Sequence, residues 1–366
     1  LTTDGSGAVT FADAGGGSPD LYAENYTTGT KPAATGTNAV AIGKGSSAAG
    51  TEAIAMVDGT ADSQDSFAVG GIVQSALGGY AIGKSSQVYS QYGLALGKSS
   101  LVTAATDGTA VGVSSVAGAN SAVAFAKSRA SGADSFAGAI ANNSSSYGAS
   151  GANSIALGKN AKATAQESVS ISNTGTASGS NAAVLGGSSG TASGSGSVAL
   201  GGSSNIADGV YSTAKGYYGN ANGIRLKHAT GVYPNQQGAY YVLGYTTSNA
   251  TPIALNTSVW TPSSTNQIVL PNNSAYAFTG TIVGREVASL GTECAAWKVE
   301  GLIRREGNAG TTVLVNSATT VLSNAPSWGM ALSANTSLGC LKVEVTGASK
   351  SIRWVATIHT SEVTHT

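Results

Sequence analysis

The sequence predicts an all-β chain in two parts: a parallel β-solenoid of coils about 14 residues long, then an antiparallel β-sandwich of jelly-roll type. Three observations predict it. A short apolar phrase ending in glycine returns at a nearly fixed interval up to residue 216. Within each copy the apolar residues stand two apart, the period of a strand. From residue 239 onward the recurrence is gone, and longer stretches of alternating apolar and polar residues take its place.

The phrase reads "AVAIG" at 39–43, "YAIG" at 80–83, "GLALG" at 93–97, "SIALG" at 154–158 and "SVALG" at 197–201. Taking its last apolar residue as an anchor gives Ile42, Met56, Val69, Ile82, Leu96, Val111, Phe125, Leu157, Ile171, Leu185 and Leu200. The steps are 14, 13, 13, 14, 15, 14, 32, 14, 14 and 15, and the long step covers two degenerate copies around "SFAGAI" and "SSYGAS". A helical reading fails. Fourteen residues make two heptads, but "GKGSSAAGTEA" has no a/d stripe, and each glycine costs a helix about 1 kcal/mol. The pairs Val40/Ile42, Ile155/Leu157 and Val198/Leu200 have strand spacing, and a weaker strand follows in "SSAAG" or "NAKAT". Each copy is therefore one coil of two short strands and two tight turns. The glycine after the anchor, as at Gly43, Gly83 and Gly97, supplies the positive φ that such a turn needs. The expectation is that the branched anchors form the core of the coil and the alanines face outward. So thin a core does not offset the chain entropy of a free-standing solenoid, which predicts association with further copies.

The units "NAVAIGKGSSAAGTEA" (38–53) and "NSIALGKNAKATAQES" (153–168) resemble the head repeats of trimeric autotransporter adhesins, over roughly residues 36–216. The resemblance implies a left-handed parallel β-roll and a homotrimer, intertwined or side by side.

After Gly216 tyrosines cluster, and "GNANGIRLKHATGVYPNQQG" (219–238) reads as a glycine-broken neck, locally basic at Arg225, Lys227 and His228. Eight strands then follow: "AYYVLGY", "QIVLP", "YAFTGTIVGREV", "AAWKVEGLIRR", "TTVLVNS", "GMALSA", "CLKVEVTG" and "SIRWVATIH". Ala295, Trp297, Val299 and Ile303 share one face against Lys298, Glu300 and Arg304. Leu341, Val343 and Val345 likewise oppose Lys342 and Glu344, the pattern of sheets with one wet face. From about residue 225 to 364 the sequence resembles a C-terminal β-domain that recurs in bacteriophage tail fibre proteins. The expected organisation is a connecting segment at 1–35, a repeat shaft at 36–216, a neck at 217–238 and a tip at 239–366.

Composition narrows the function. Eighteen basic residues balance 18 acidic ones in a chain only 10% charged, which gives neither a nucleic-acid footprint nor a polybasic membrane patch. No apolar run reaches the roughly 18–20 residues of a membrane helix. Leu1 is not an initiator methionine, so the chain reads as a processed or truncated piece. With 51 glycines but no glycine at every third position, collagen is excluded. Cys294 and Cys340 read as small buried hydrophobes, with a disulfide as the alternative.

Catalytic signatures are missing from the sequence. There is no nucleophile elbow, Cys/His metal spacing or phosphate loop, and His228, His359 and His365 stand apart. Asp58, Asp62 and Asp65, and Glu300 with Glu306, read as solvated carboxylates. No catalytic residue, metal or cofactor is expected. Trp297, Trp328 and Trp354 read as core, whereas Tyr233, Trp260 and Tyr276, in or beside loops, are the candidates for a receptor surface.

The resulting expectation is a non-enzymatic phage tail fibre protein, extracellular in the virion tail. It attaches to a host cell-surface glycan or protein and meets tail or baseplate proteins through its N-terminal end. A bacterial trimeric surface adhesin, or a tailocin or injection-system fibre, shares the repeat. An adhesin, however, calls for a heptad stalk and an outer-membrane anchor, and here the repeat runs into the strands of the second part. A polysaccharide-cleaving tailspike ranks below both.

Overall fold

The computed structural model describes residues 2–3, 9–10, 30–74, 77–103, 106–141, 144–258, 261–287, 292–323 and 327–365. Most of the expected connecting segment lies outside these; Thr2–Thr3 and Val9–Thr10 pair antiparallel. The described chain is all-β, without an α-helix. Its two compact units, Leu1–Asn160 and Ala161–Thr366, both carry coils of a parallel β-solenoid of about 14 turns.

In the first unit each coil gives a three-residue strand and a two-residue strand. Val40–Ile42, Ile54–Met56, Phe67–Val69, Tyr80–Ile82, Leu94–Leu96, Thr109–Val111 and Val123–Phe125 stack in parallel, like position on like. Their middle residues form one file: Ala41, Ala55, Ala68, Ala81, Ala95, Ala110 and Ala124, all buried. The shorter strands stack the same way and turn Ala48, Ala61, Val73, Val88, Val102, Ala117 and Ala130 inward.

This reverses the expected placement of the anchors. Ile42, Met56, Val69, Ile82, Val111 and Leu157 are only half-buried, and Leu96, Phe125, Ile171, Leu185 and Leu200 are 37–44% exposed. Strand period puts residues two apart on one face and the residue between them on the other. Both branched residues of a phrase therefore share a face, and that face is the outer one. The space between the two strands of a coil takes a methyl group from one side and a methyl or valine from the other. Buried serines complete the interior: the hydroxyls of Ser86, Ser100 and Ser115 donate to the carbonyls of Gly83, Gly97 and Val111 at 2.8, 2.9 and 2.8 Å.

Both corners of a coil need left-handed backbone. At the corner after the phrase glycine adopts it in several coils, as at Gly43, Gly83, Gly97 and Gly112, whereas Val57 and Ala126 adopt it at the same step in two others. Gly97 sits at φ 122°, and a Cβ there would lie 2.6 Å from the carbonyl oxygen of Gly112 one coil on. At the other corner it falls to larger residues, among them Asn38, Glu52, Asp65, Tyr92, Asp107 and Asp134. The amides of Glu52, Tyr92 and Asp107 donate to the carbonyls of Thr37, Leu77 and Gln91 on the preceding coil at 2.8, 2.8 and 3.0 Å. These inter-coil bonds offset the roughly 1–2 kcal/mol that a side chain costs in this region.

In the second unit Val169–Asn173, Ala183–Ser188, Val198–Ser203 and Thr213–Tyr217 continue the pattern. Strand β1 (His228–Tyr233) then pairs in parallel with Thr213–Gly216 on one side. On its other side it pairs antiparallel with β2 (Gln236–Thr247) across a turn at Pro234 and Asn235. This strand is where parallel stacking gives way to antiparallel pairing, and it occupies the segment that the sequence marked as a neck. The remaining strands are β3 (Ile253–Ala254), β4 (Ile268–Val269), β5 (Ser274–Glu286), β6 (Cys294–Arg305), β7 (Val313–Ser323), β8 (Gly329–Asn335), β9 (Cys340–Thr346) and β10 (Ile352–Thr364). One sheet runs β2–β10–β5–β6–β7 and another joins β3, β4 and β8 to β9, all antiparallel. Both sheets feed one core, in which Trp297 and Trp354 stack at 6.0 Å and Trp328 tilts against Trp354 at 5.5 Å. The alternation read in β6 and β9 holds: Trp297, Val299, Ile303, Leu341, Val343 and Val345 are buried.

Replacing Ala95 by leucine forces three extra carbons into a coil interior with no space for them. We expect a loss of about 1–3 kcal/mol, read as a lower thermal midpoint, whereas Leu96→Met on the outer face changes stability by no more than about 0.5 kcal/mol.

Candidate functional site

Two clefts open in the second unit beside the switch from coils to antiparallel strands. The larger, ≈ 450 Å³, is lined by Asp208, Arg225, Ser258, Thr261, Ser263, Thr265 and Asn266, with Val210 and Gly223. Its geometry begins at Tyr211, a corner residue at φ 56° whose half-exposed ring projects from the coil. The Arg225 guanidinium carbon lies 4.8 Å from the centre of that ring. The Arg225 amide donates to the Thr265 carbonyl at 2.8 Å and the Gly223 amide to Asp208 Oδ1 at 2.7 Å. Asn266 shapes the opposite wall: its Nδ2 donates to Ser258 Oγ and the Thr261 carbonyl, both at 3.0 Å, and its Oδ1 accepts from the Ser263 amide at 2.7 Å. The loop flagged through Trp260 therefore contributes to this cleft, although Trp260 itself lies outside the described residues.

The smaller cleft, ≈ 240 Å³, is bordered by Tyr218, Asn220, Asn222, Pro234, Asn235 and Gln237, with Glu362 at its floor. An exposed aromatic patch adjoins it. Tyr217 meets Tyr218 edge-to-face at 4.6 Å, and Tyr233 lies 6.5 Å from Tyr217. Tyr233 is 60% exposed at the end of β1, so the surface position read for it from sequence agrees with the structure.

Tyr276 does not. It is 1% exposed, on the inner face of β5, because strand alternation turns it inward with Phe278 and Ile282. It belongs instead to a buried charged network around Glu362. Lys227 Nζ and Gln237 Nε2 donate to Glu362 Oε2 at 2.8 and 2.6 Å, and Tyr241 and Thr360 hydroxyls donate to Oε1 at 2.8 and 2.7 Å. Burial pushes the Glu362 carboxyl up, but the Lys227 charge and these bonds outweigh it and hold the group below its ordinary value. Burial likewise pulls the Lys227 ammonium down against the attraction of Glu362. Burial, then the Glu362 charge, drives the phenols of Tyr241 and Tyr276 well above theirs. With four donors spent on it, this carboxylate is a structural clasp between β1's approach and β10.

The histidines are less isolated than their spacing suggests, since the rings of His228 and His359 flank Tyr240 at 6.2 and 4.8 Å. Among the described residues no group of three His, Cys, Asp or Glu side chains could hold a metal. Cys294 and Cys340 are both free; Cys340 is buried, as read, but Cys294 is exposed at the start of β6. Burial pushes the Cys340 thiol up to about 12. Sequence reasoning passed over Asp208, Tyr217, Tyr218 and Arg225 as site residues; the available signal was the tyrosine cluster beside a basic neck.

Two segments, residues 34–56 and 149–171, match the YadA head domain repeat. No curated protein matches the sequence. Among solved structures, the tailspike protein gp49 from Acinetobacter baumannii bacteriophage Fri1, a capsular polysaccharide depolymerase, aligns at 8% identity and a TM-score of 0.23. The alignment covers 86% of this chain and 61% of that one, so the chain spans less than two thirds of that protein's length. A likeness of this degree assigns no activity. The chain thus carries YadA head repeats on an all-β solenoid.

Lys227→Met strands a buried carboxylate, and we expect it to cost about 3–5 kcal/mol. Because folding lowers the Glu362 pKa, its contribution is complete above the ordinary carboxylate range and is lost as pH falls through the folded value. Acid unfolding followed by tryptophan fluorescence should show that slope, and Glu362→Gln should flatten it. Brief iodoacetamide treatment of the native protein should alkylate Cys294 and spare Cys340, as read by peptide mass.

Proposed function

We propose that the protein is a trimeric fibre of the phage tail type, with its coils as the self-associating stem and its C-terminal sheets as a β-sandwich that attaches to a bacterial cell-surface receptor. The observation that carries this reading is the outer face of the coils. In the second unit Val169, Val198, Ile171, Leu185 and Leu200 lie in register on one side of the parallel stack, above an interior of small side chains. Each such side chain in water leaves unrealised part of the roughly 1.5–3 kcal/mol that full burial contributes. Copies of the chain wrapped about a common axis bury these files together, and the YadA head repeats support three copies.

Attachment needs no bond-breaking step. Three copies of one weak site on a single axis raise the effective concentration at the cell surface, so contacts of millimolar strength suffice. The tyrosine patch and the two clefts are the surfaces we assign to the receptor. The N-terminal end is left for the tail or baseplate, and the protein acts outside the cell.

Light scattering on the purified chain should return three times its 35.8 kDa. Leu185→Lys with Leu200→Lys should break that mass down; a native mass of one chain would remove the proposal. Labelled protein should be retained on susceptible bacteria and displaced by unlabelled excess, leaving surface polysaccharide at its original length. Shorter glycans after incubation would establish cleavage in place of simple attachment.

A further inference from the structure

The larger cleft holds the Arg225 guanidinium, a charge that the described residues leave without an opposite one. Among the described residues no carboxylate reaches Arg225 within ion-pair distance, and its Nε is buried without an acceptor. Asp208 lines the same cleft, yet its Oδ1 is taken by the Gly223 amide. A buried donor left unpaired costs about 1–3 kcal/mol, more for a charged group, so its retention calls for a reason. The position is also held firmly: the guanidinium rests on Tyr211, and the Arg225 backbone is tied to Thr265. A planar fork fixed in this way matches a carboxylate or phosphate through paired hydrogen bonds.

The rest of the lining says what carries that anion. It is hydroxyl-rich, with Ser258, Thr261, Ser263 and Thr265. Hydroxyl and carboxylate side chains suit a polyhydroxylated ring, and ≈ 450 Å³ falls in the range of small-molecule clefts. We infer that the Arg225 cleft binds an anionic saccharide unit, its carboxylate or phosphate on Arg225 and its hydroxyls on Asp208, Ser258, Thr261, Ser263 and Thr265. This deepens the attachment reading by giving the receptor a chemistry; it is tested without cells, so the two can fail separately.

Ligand-observed saturation-transfer NMR on the full chain, with methyl glucuronide, glucose 6-phosphate and methyl glucoside as probes, tests it. At least one anionic probe should bind about tenfold or more tightly than the neutral one, and the preference between the two identifies the anion. The binding should weaken as salt rises. Arg225→Gln should lose that selectivity about tenfold while Arg225→Lys keeps part of it. Asp208→Asn, which preserves the acceptor for Gly223, should strengthen anion binding because it removes a like charge. Equal binding of all three probes, no binding of any, or an unchanged affinity in a folded Arg225→Gln protein would overturn the inference. Near-ultraviolet circular dichroism of each variant establishes that it is folded.

Discussion

The interior of a coil is little wider than two methyl groups, and the organisation of the repeat follows from that width. Where the backbone of one strand approaches its partner across the coil, the residue between them is alanine in most coils, with valine or, at Ser170, serine in others. Larger side chains at the same step have only the outside left to them. The hydrophobic gain normally collected inside a fold is therefore displayed on its surface, and the interior is held mainly by backbone ladders, serine hydroxyls and close contact. A coil built this way satisfies its backbone through its neighbours and leaves its apolar burial incomplete.

The corners obey the same economy of space. One is closed in several coils by glycine, and at Gly83 and Gly97 the next coil's carbonyl occupies the place of a Cβ. The other accepts asparagine, aspartate, glutamate and even tyrosine, because there the side chain points into solvent and the amide gains a bond to the coil before. This second corner is the reason Tyr211 stands out of the coil where Arg225 can lie on it. The neck then uses one strand, His228–Tyr233, to convert stacking into hairpin pairing. The buried Lys227–Glu362 pair fastens this conversion to the strand that ends at Thr364. Replacing such a pair by apolar residues is often neutral for stability, so its place at the switch suggests that it fixes register more than it adds strength.

Attachment in this picture depends on two kinds of surface made by different means. The apolar files come from repetition and are the same on every coil. The clefts lie where repetition stops, and the residues of the larger one are drawn from separate stretches: Asp208 and Val210 at a coil corner, Gly223 and Arg225 before β1, and Ser258, Thr261, Ser263, Thr265 and Asn266 beyond β3.

Much of the fold was legible in the residues themselves. A period of about 14 with strand spacing inside it determines a stack of coils, because no helix accommodates that glycine content. Alternation in β6 and β9 determined which faces are buried, and the three tryptophans followed. What the sequence could not determine was which side of a short strand is the inside, since a two-residue period is symmetric between faces; only closure of the coil decides that alanine goes in and the branched anchors go out. The same ambiguity moved Tyr276 from a loop edge into the core. The candidate site was less legible still. Arg225, Asp208 and the hydroxyl residues are ordinary polar residues in their own neighbourhoods, and only tertiary structure brings them to one cleft, with Arg225 unpaired by any carboxylate among the described residues.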